Sequence, residues 1–360
     1  MRKTTIPIGP QHPLLKEPLS FTLEAVGETI VSASLRIGYV HRGIERLSQE
    51  RNYAQNVHLF ERVCGICSHA HTTCFCQAVE TLLGVEIPAR GAHIRLIMCE
   101  LERIHSHLLW LGVLAESIGF TTVFMYAWRD REIILDVMEA LSGGRVSHAA
   151  NVIGGARVDI SAEQAHDVEQ KLADFATRLP MFEELLTRDR SFRARTQGLG
   201  VMTEAMVHEM GIVGPAARAS GCTLDMRLQA PYGAYPSYDL TVITESAGDV
   251  WSRSQVRLLE MQQSLALCRQ AMRNLPEGPP SVRVPRRVPA GEVVARIEAP
   301  RGELVYYVQS DGSETPARVK VRTPTLPTLM ALVQLLPGVE TADVAAVIAG
   351  ADLCIACADR

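Results

Sequence analysis

The spacing of apolar and polar residues changes character twice along the chain, from strand-like to helix-like and back. Near the start, Thr4-Thr5-Ile6-Pro7-Ile8 leads into the turn signal Gly9-Pro10-Gln11-His12-Pro13. Two strand-like runs follow, Leu19 to Val26 and Thr29 to Ile37, and Gly27-Glu28 between them predicts a hairpin. From Ile44 onward Leu47, Tyr53, Val57 and Phe60 recur at helical spacing. Gly91 to Gly119 predicts a long helix with Ile94, Ile97, Met98, Leu101, Ile104, Leu108 and Leu111 on one broad apolar face, and Arg95, Glu102 and Arg103 largely off it. Further helices are expected at 129–142, 161–187 and 203–211, and from Ala247 to Asn274, where Pro276 and Pro279-Pro280 end the pattern. Short strands return at Ser281–Val284, Val293–Ile297, Leu304–Gln309 and Ala317–Val321, then helices at Thr325–Leu335 and Thr341–Ala349. The expected fold is α+β and mainly helical, a central helix bundle with β segments near both termini. One domain is expected over 1–360: β-rich over 1–40, helical over 44–280, and mixed over 281–360.

Composition narrows the function classes. The 360 residues are 47% hydrophobic and 21% charged, as in an ordinary globular protein able to bury a large core. A formal net charge of −4 gives no footprint for a nucleic-acid partner. No run of about 18 apolar residues is present, so no membrane span is expected. The N-terminal Met1-Arg2-Lys3-Thr4-Thr5 runs into a Pro-containing turn and not an apolar segment, so no signal peptide is expected. Nine cysteines without an export signal point to a reducing cytoplasm, where thiols serve metals or catalysis more often than disulfides. Cys99 and Cys268 fall within helical patterns and read as inert core residues. Cys74 and Cys76 have weak ligand spacing and read as packing.

Four cysteines form two Cys-x-x-Cys pairs, Cys64/Cys67 and Cys354/Cys357, nearly the whole chain apart. Four soft thiolates select zinc, an iron–sulfur cluster, copper(I) or a nickel–iron centre. Spacing alone favours zinc, although a zinc ribbon places its pairs about 15–20 residues apart in a small module. A lone redox pair would predict a nearby βαβ pattern, and none is present. An iron–sulfur cluster stays open on spacing.

The flanks carry more. Arg62-Val63-Cys64-Gly65-Ile66-Cys67-Ser68-His69-Ala70-His71 together with Asp352-Leu353-Cys354-Ile355-Ala356-Cys357-Ala358-Asp359-Arg360 resembles the paired signatures of nickel–iron hydrogenase large subunits. Arg360, where many members have His, resembles the membrane-bound, energy-converting group, and the short chain resembles its carbon-monoxide-linked members. That group is related to the quinone-site, 49 kDa-type subunit of complex I. Gly9-Pro10-Gln11-His12-Pro13, His41-Arg42-Gly43-Ile44-Glu45 and Glu298-Ala299-Pro300-Arg301-Gly302 extend the resemblance over residues 9–360.

This resemblance implies a nickel–iron centre whose iron carries carbon monoxide and cyanide. Cys64 and Cys354 would be terminal nickel ligands, while Cys67 and Cys357 would bridge nickel and iron. Arg301 matches the arginine suspended over the metals, and Asp352 an acid that orients it. His71 matches a histidine that hydrogen-bonds a cysteine sulfur, whereas His69 has no such match and reads as structural. Glu17 sits where the family places a proton-relay glutamate. Glu45 stands where many relatives bind a magnesium-type ion with the C-terminal histidine. Arg360 cannot ligate a metal, so an ion pair between Glu45 and Arg360 is expected there instead.

Three residues follow Cys357, which fits either a chain made without a C-terminal extension or a processed one. The implied partners are a small subunit with an iron–sulfur cluster, further cytoplasmic electron-transfer and integral membrane subunits, and a ferredoxin-type donor. The implied location is cytoplasmic, peripheral on the inner face of the cell membrane. The competing reading is a complex I-like quinone-site scaffold, supported by His12 and its hairpin. Members of that branch are expected to lack the full set of four thiolates.

Overall fold

The computed structural model describes residues 2–360. The first hydrophobic alternation becomes an antiparallel sheet of β1 (Lys3–Ile8), β2 (Ser20–Val26) and β3 (Thr29–Arg36), with Phe21 opposite Ile8 and Leu35. Phe21, Leu23 and Ala25 point from one face of β2 into the core, as the period of two requires. The helical stretch after Ile44 is not continuous. It splits into α1 (Ile44–Ser48) and α2 (Tyr53–Glu61), because Asn52 and Gln55 form a reciprocal capping box that starts a new helix.

Next come α3 (Ser68–Leu83), α4 (Ala89–Ser117) and α5 (Thr121–Ser142), then the two-residue strands β4 (Asn151–Val152) and β5 (Gly155–Ala156). α3 has no counterpart in the sequence expectations, and α5 starts well before residue 129. The expected helix over 161–187 is two: α6 (Ala162–Ala176) and α7 (Leu179–Arg188), the second opened by Pro180, which suits a first turn but not a helix interior. Then follow α8 (Arg190–Thr196), α9 (Glu204–Met210), α10 (Pro215–Arg218), α11 (Met226–Gln229) and α12 (Val250–Arg273).

Strands β6 (Gly291–Ala299), β7 (Gly302–Ser310) and β8 (Arg318–Arg322) form a second antiparallel sheet in chain order. The expected strand at Ser281–Val284 does not form; Ser281 makes a single bridge to Gly155. The chain finishes with α13 (Thr325–Leu335), a 3-10 turn at Thr341–Asp343, α14 (Val344–Gly350) and α15 (Ile355–Asp359).

α4 is the axis of the helical part, packed by α5, α12 and α14, while α3 lies across β6 and β7. The apolar face expected for α4 is buried, but so are Arg95, Glu102 and Arg103, which the periodicity put off that face. A charged residue survives there only when partnered. Arg95 Nη2 lies 2.6 Å from Glu80 Oε1, Arg103 Nε lies 3.2 Å from Glu100 Oε2, and Glu102 accepts two backbone N–H groups. A second core joins the β1–β3 sheet to residues of α9, α13 and α14. Among the described residues, no helix is long and apolar enough to cross a membrane.

Candidate metal centre

Both cysteine pairs sit where a helix begins. Cys67 is the residue before α3 and Cys354 the residue before α15, yet neither side chain caps its helix. The N–H groups at a helix start need acceptors, and here carboxylates from elsewhere supply them. Glu102 of α4 accepts from His69 N at 2.6 Å and Ala70 N at 2.9 Å, and Glu17 Oε2 accepts from Ala356 N at 2.7 Å. The sulfurs are thereby left free to face one another. Cys64 Sγ lies 3.2 Å from Cys354 Sγ, Cys67 Sγ 3.3 Å from Cys357 Sγ, and Cys354 Sγ 3.1 Å from Cys357 Sγ. All four are buried, are not disulfide-bonded, and lie within 4.8 Å of one another.

The electrostatics favour a cation among them. Hydrogen bonds from the Cys354, Cys357 and Cys67 thiols hold Cys64 well below the usual thiol range. Cys67 and Cys357 are pushed well above it, each foremost by its contact with Cys354. One thiolate is thus stabilised while its neighbours hold their protons, and only a metal ion would let all four ionise together. Separations near 3 Å suit sulfurs sharing ions at about 2.3 Å from each. The donor set fits the implied centre.

Arg301 and Asp352 stand beside this cluster. Arg301 Nη2 lies 2.8 Å from Asp352 Oδ1, its Nε donates to the Asp352 carbonyl at 3.1 Å, and its Nη1 donates to Ser106 Oγ at 3.3 Å. Burial alone would lower the Arg301 guanidinium, but Asp352 and the thiols of Cys354, Cys67 and Cys64 outweigh it, so it stays charged. Asp352 has φ 55°, a left-handed conformation that Asp tolerates better than most residues. Its other oxygen lies 3.3 Å from Arg257 of α12, whose guanidinium stacks 4.2 Å from the Trp110 ring centroid on α4. Trp110 in turn donates to the Ala349 carbonyl at 2.9 Å. Arg301, Asp352, Glu17, Trp110 and Cys354 line one cavity of about 200 Å³ whose other walls include Leu15, Ile66 and Val113. Burial raises the Glu17 carboxyl above its ordinary value, although the Ala356 N–H opposes the shift.

His71 lies on the opposite side. Burial depresses its imidazole to about 4, so it is neutral near pH 7. Burial also keeps the Tyr306 phenol protonated, and its hydroxyl and His71 Nδ1 are hydrogen-bonded at 2.7 Å. That bond orients the ring so that Nε2 faces Cys357 Sγ at 3.5 Å. His69 is buried against the Arg95 carbonyl, depressed to about 3 by burial.

A family model described as the respiratory-chain NADH dehydrogenase 49 Kd subunit matches residues 117–287 and 281–360, and one described as nickel-dependent hydrogenase matches residues 42–116. The carbon monoxide-induced hydrogenase of Rhodospirillum rubrum is 39% identical over the full length of both chains. The chain belongs to the hydrogenase and 49 kDa subunit family. The membrane-bound hydrogenase subunit alpha of Pyrococcus furiosus is 40% identical across 99% of this chain and 87% of its own. An NADH-quinone oxidoreductase subunit of Trichlorobacter lovleyi is 38% identical across 99% of this chain and 98% of its own. The mainly helical α+β architecture agrees with membership of this oxidoreductase family.

At the family's last segment, Arg360 Nε lies 3.1 Å from Glu45 Oε1. Lys320 Nζ lies 3.1 Å from Glu45 Oε2, and Val321 N donates to Oε1 at 3.1 Å. Burial would raise the Glu45 carboxyl, but the Val321 N–H and the Lys320 and Arg360 side chains hold it below its usual range. With Arg318 Nη2 also 4.0 Å from Oε2, a site already facing three cations has little attraction for a magnesium-type ion. Other residues escaped sequence reasoning. Arg42 donates to the Arg62 and Val63 carbonyls, both at 2.7 Å, and to the Ala356 carbonyl at 3.5 Å, so one guanidinium joins the two cysteine segments. It lay inside a recognised motif, which was its only signal. Glu102, Tyr306, Trp110 and Arg257 carried none, because each reaches the centre from a distant element. Cys74, Cys76, Cys99 and Cys268 are buried thiols pushed up by burial, Cys76 to about 12, in keeping with inert packing.

Proposed function

We propose that this chain is the catalytic large subunit of a nickel–iron hydrogenase that interconverts protons, electrons and H2. The observation that carries the reading is the set of four buried sulfurs within 4.8 Å of one another. A nickel–iron centre held by Cys64, Cys67, Cys354 and Cys357 would supply the redox chemistry and the heterolysis of H2. The protein's own part is positioning and proton handling. Arg301, kept charged, directs positive potential toward the thiolates and cannot act as a base. Asp352 fixes the Arg301 fork and is itself fixed by Arg257. Glu17, with its raised carboxyl beside the second cysteine loop, takes and returns protons at Oε1 and Oε2. His71 Nε2 steadies the charge on the Cys357 sulfur.

In this reading residues 1–360 act as one domain, and Glu45 with Arg360 anchors the last segment without a metal. Electrons arrive through a small subunit bearing an iron–sulfur cluster, supplied by a ferredoxin-type donor. Membrane subunits hold the chain on the inner face of the membrane and couple H2 evolution to ion translocation. The names of the relatives support this: one is a carbon monoxide-induced hydrogenase and another a membrane-bound hydrogenase subunit. A complex I-like quinone-site scaffold is the second reading, favoured by the 49 Kd family match over residues 117–360. Elemental analysis and infrared spectroscopy of the purified complex separate the two. Near-equal nickel and iron with bands of iron-bound carbon monoxide and cyanide are expected. Zinc alone, or no metal with quinone-dependent activity, would overturn the hydrogenase reading.

A further inference from the structure

A second group of metal-compatible side chains lies outside the four-cysteine centre. Glu204 and His208 are four residues apart on α9, so they share one helix face. Thr203 caps the helix start by accepting from Met206 N, and Gly211 at φ +66° ends the helix and turns the chain back. The returning segment passes through α10 and brings Cys222 up against that face. His208 Nε2 lies 3.7 Å from Glu204 Oε1 and 3.9 Å from Cys222 Sγ, and the three ligand atoms lie within 4.8 Å of one another. Cys222 is 8% exposed, whereas Glu204 and His208 are open to solvent.

These separations differ from those of ordinary side-chain pairs. The His–Glu distance is too long for a hydrogen bond, and among the described residues the other polar contact at His208 Nε2 is the long one to Cys222 Sγ. Once the Cys222 thiol gives up its proton, three electron-pair donors face one point. In a tetrahedral zinc site with Zn–S near 2.3 Å and Zn–N or Zn–O near 2.0–2.2 Å, a sulfur and a nitrogen stand roughly 3.6 Å apart, and a nitrogen and an oxygen roughly 3.4 Å. The two distances from His208 exceed those edges by only a few tenths of an ångström, and a rotation of the exposed His208 or Glu204 side chain can draw the three atoms, already within 4.8 Å, together. The donors differ in softness, thiolate, imidazole and carboxylate, a mixture suited to zinc or cobalt(II) and poorly suited to magnesium or calcium.

We propose that Glu204, His208 and Cys222 form a peripheral site for a divalent transition-metal ion of the zinc type, with water in the fourth position. Binding converts the Cys222 thiol to a thiolate, the sulfur–metal bond replacing the sulfur–hydrogen bond, and one proton goes to the buffer. Burial and the Glu204 carboxylate raise the free thiol above its ordinary range, so this proton is present near pH 7 before the metal arrives. The ion would staple α9 to the segment ending at Cys222. Within that segment Gly214 lies against the Arg301–Gly302 backbone so closely that a Cβ there would stand 2.2 Å from the Arg301 carbonyl oxygen. The staple therefore holds the floor beneath a residue of the main centre.

The test uses the metal-loaded full-length protein, in which the four central cysteines are already occupied. Zn2+ is titrated in competition with a chromogenic chelator, by calorimetry in two buffers of different ionisation enthalpy, and Co2+ by near-ultraviolet absorption. One additional ion per chain is expected, with about one proton released and a thiolate-to-cobalt band. Glu204→Gln, His208→Ala and Cys222→Ser should each weaken binding at least about tenfold, and Cys222→Ser should also remove the cobalt band. Glu209→Gln, exposed on the same helix, should change neither. Equal affinity in wild type and all three site variants, or no additional ion in the wild type, would overturn the proposal. The exposed positions of Glu204 and His208 keep the test decisive even if Cys222→Ser disturbs folding.

Discussion

Replacing Glu17 with glutamine separates the two things this residue does. The carboxylate accepts the Ala356 N–H at 2.7 Å, which satisfies a donor at the start of α15, and it lines the cavity shared with Arg301 and Cys354. Glutamine keeps an acceptor oxygen at the same reach but cannot exchange a proton. The lost charge assistance on the hydrogen bond is worth about 1 kcal/mol, and it is offset by relief from the burial that raises the carboxyl. Net stability should therefore move by less than about 1 kcal/mol, a Tm shift of roughly 3 °C or less. Removing a general acid–base group instead slows turnover by about 10²–10⁴-fold, or roughly 3–5 kcal/mol of barrier. The assay is H2 evolution with a reduced viologen dye, alongside Tm and nickel and iron content. Glu17→Gln should lose activity with metal content and Tm intact. Turnover within about threefold of wild type would refute the proton-relay role. Loss of activity together with loss of metal would refute it in a different way, making Glu17 a support for the second cysteine loop only.

Asp352→Asn leaves the buried Arg301 and Arg257 without their shared counter-charge, so it should destabilise the protein by about 3–5 kcal/mol and reduce H2 evolution, read by denaturant unfolding and dye assay. Gly214→Ala should cost about 1–3 kcal/mol or more, because Gly214 has φ +71° and its added Cβ meets the Arg301 carbonyl; an unchanged Tm would contradict the packing. Burial raises the Glu102 carboxyl from an ordinary 4.5 to about 8, so the unfolded state releases this proton at lower pH than the folded state. Its contribution to stability is whole below about pH 4.5 and is lost as pH rises through about 8, on the order of 5 kcal/mol in all. Glu102→Gln should flatten that part of the stability–pH curve in chemical denaturation. Removing residues 354–360 takes away Cys354 and Cys357, and should abolish metal binding and activity while far-ultraviolet circular dichroism keeps its helical amplitude.

The elements that read correctly from the sequence were those whose pattern is local. The hairpin of β2 and β3, the long α4 and the three strands β6–β8 each carry their own period and punctuation. The splits after Ser48 and Ala176 had local signals, Asn52 with Gln55 and Pro180, whereas the missed α3 and the misread face of α4 depend on remote residues. α3 opens with Ser68-His69-Ala70-His71-Thr72-Thr73, which has no apolar stripe and no capping side chain of its own, because its cap comes from Glu102 on the next helix. Arg95 and Arg103 of α4 looked like a solvent face because Glu80, which holds Arg95, and the Glu298 and Ala299 carbonyls, which Arg103 reaches, lie on other elements. Residues of the candidate centre were legible where they belonged to contiguous motifs. Tyr306, which orients His71, and Arg257, which holds Asp352, were not.

The two helix starts explain why acids sit so close to four thiols. Cys67 and Cys354 cap nothing, and the freed N–H groups bond to Glu102 and Glu17. Each carboxylate is thus drawn into a buried position beside the sulfurs, where its own burial raises its pKa, for Glu102 to about 8. Glu102 has two backbone donors and no place on the cavity that holds Arg301, so it is confined to supporting α3. Glu17 accepts the Ala356 N–H at 2.7 Å, and its side chain opens on that cavity. The helix starts that leave Cys67 and Cys354 uncapped thus place a buried carboxyl beside each cysteine pair, and of the two only Glu17 opens on the cavity lined by Arg301 and Cys354.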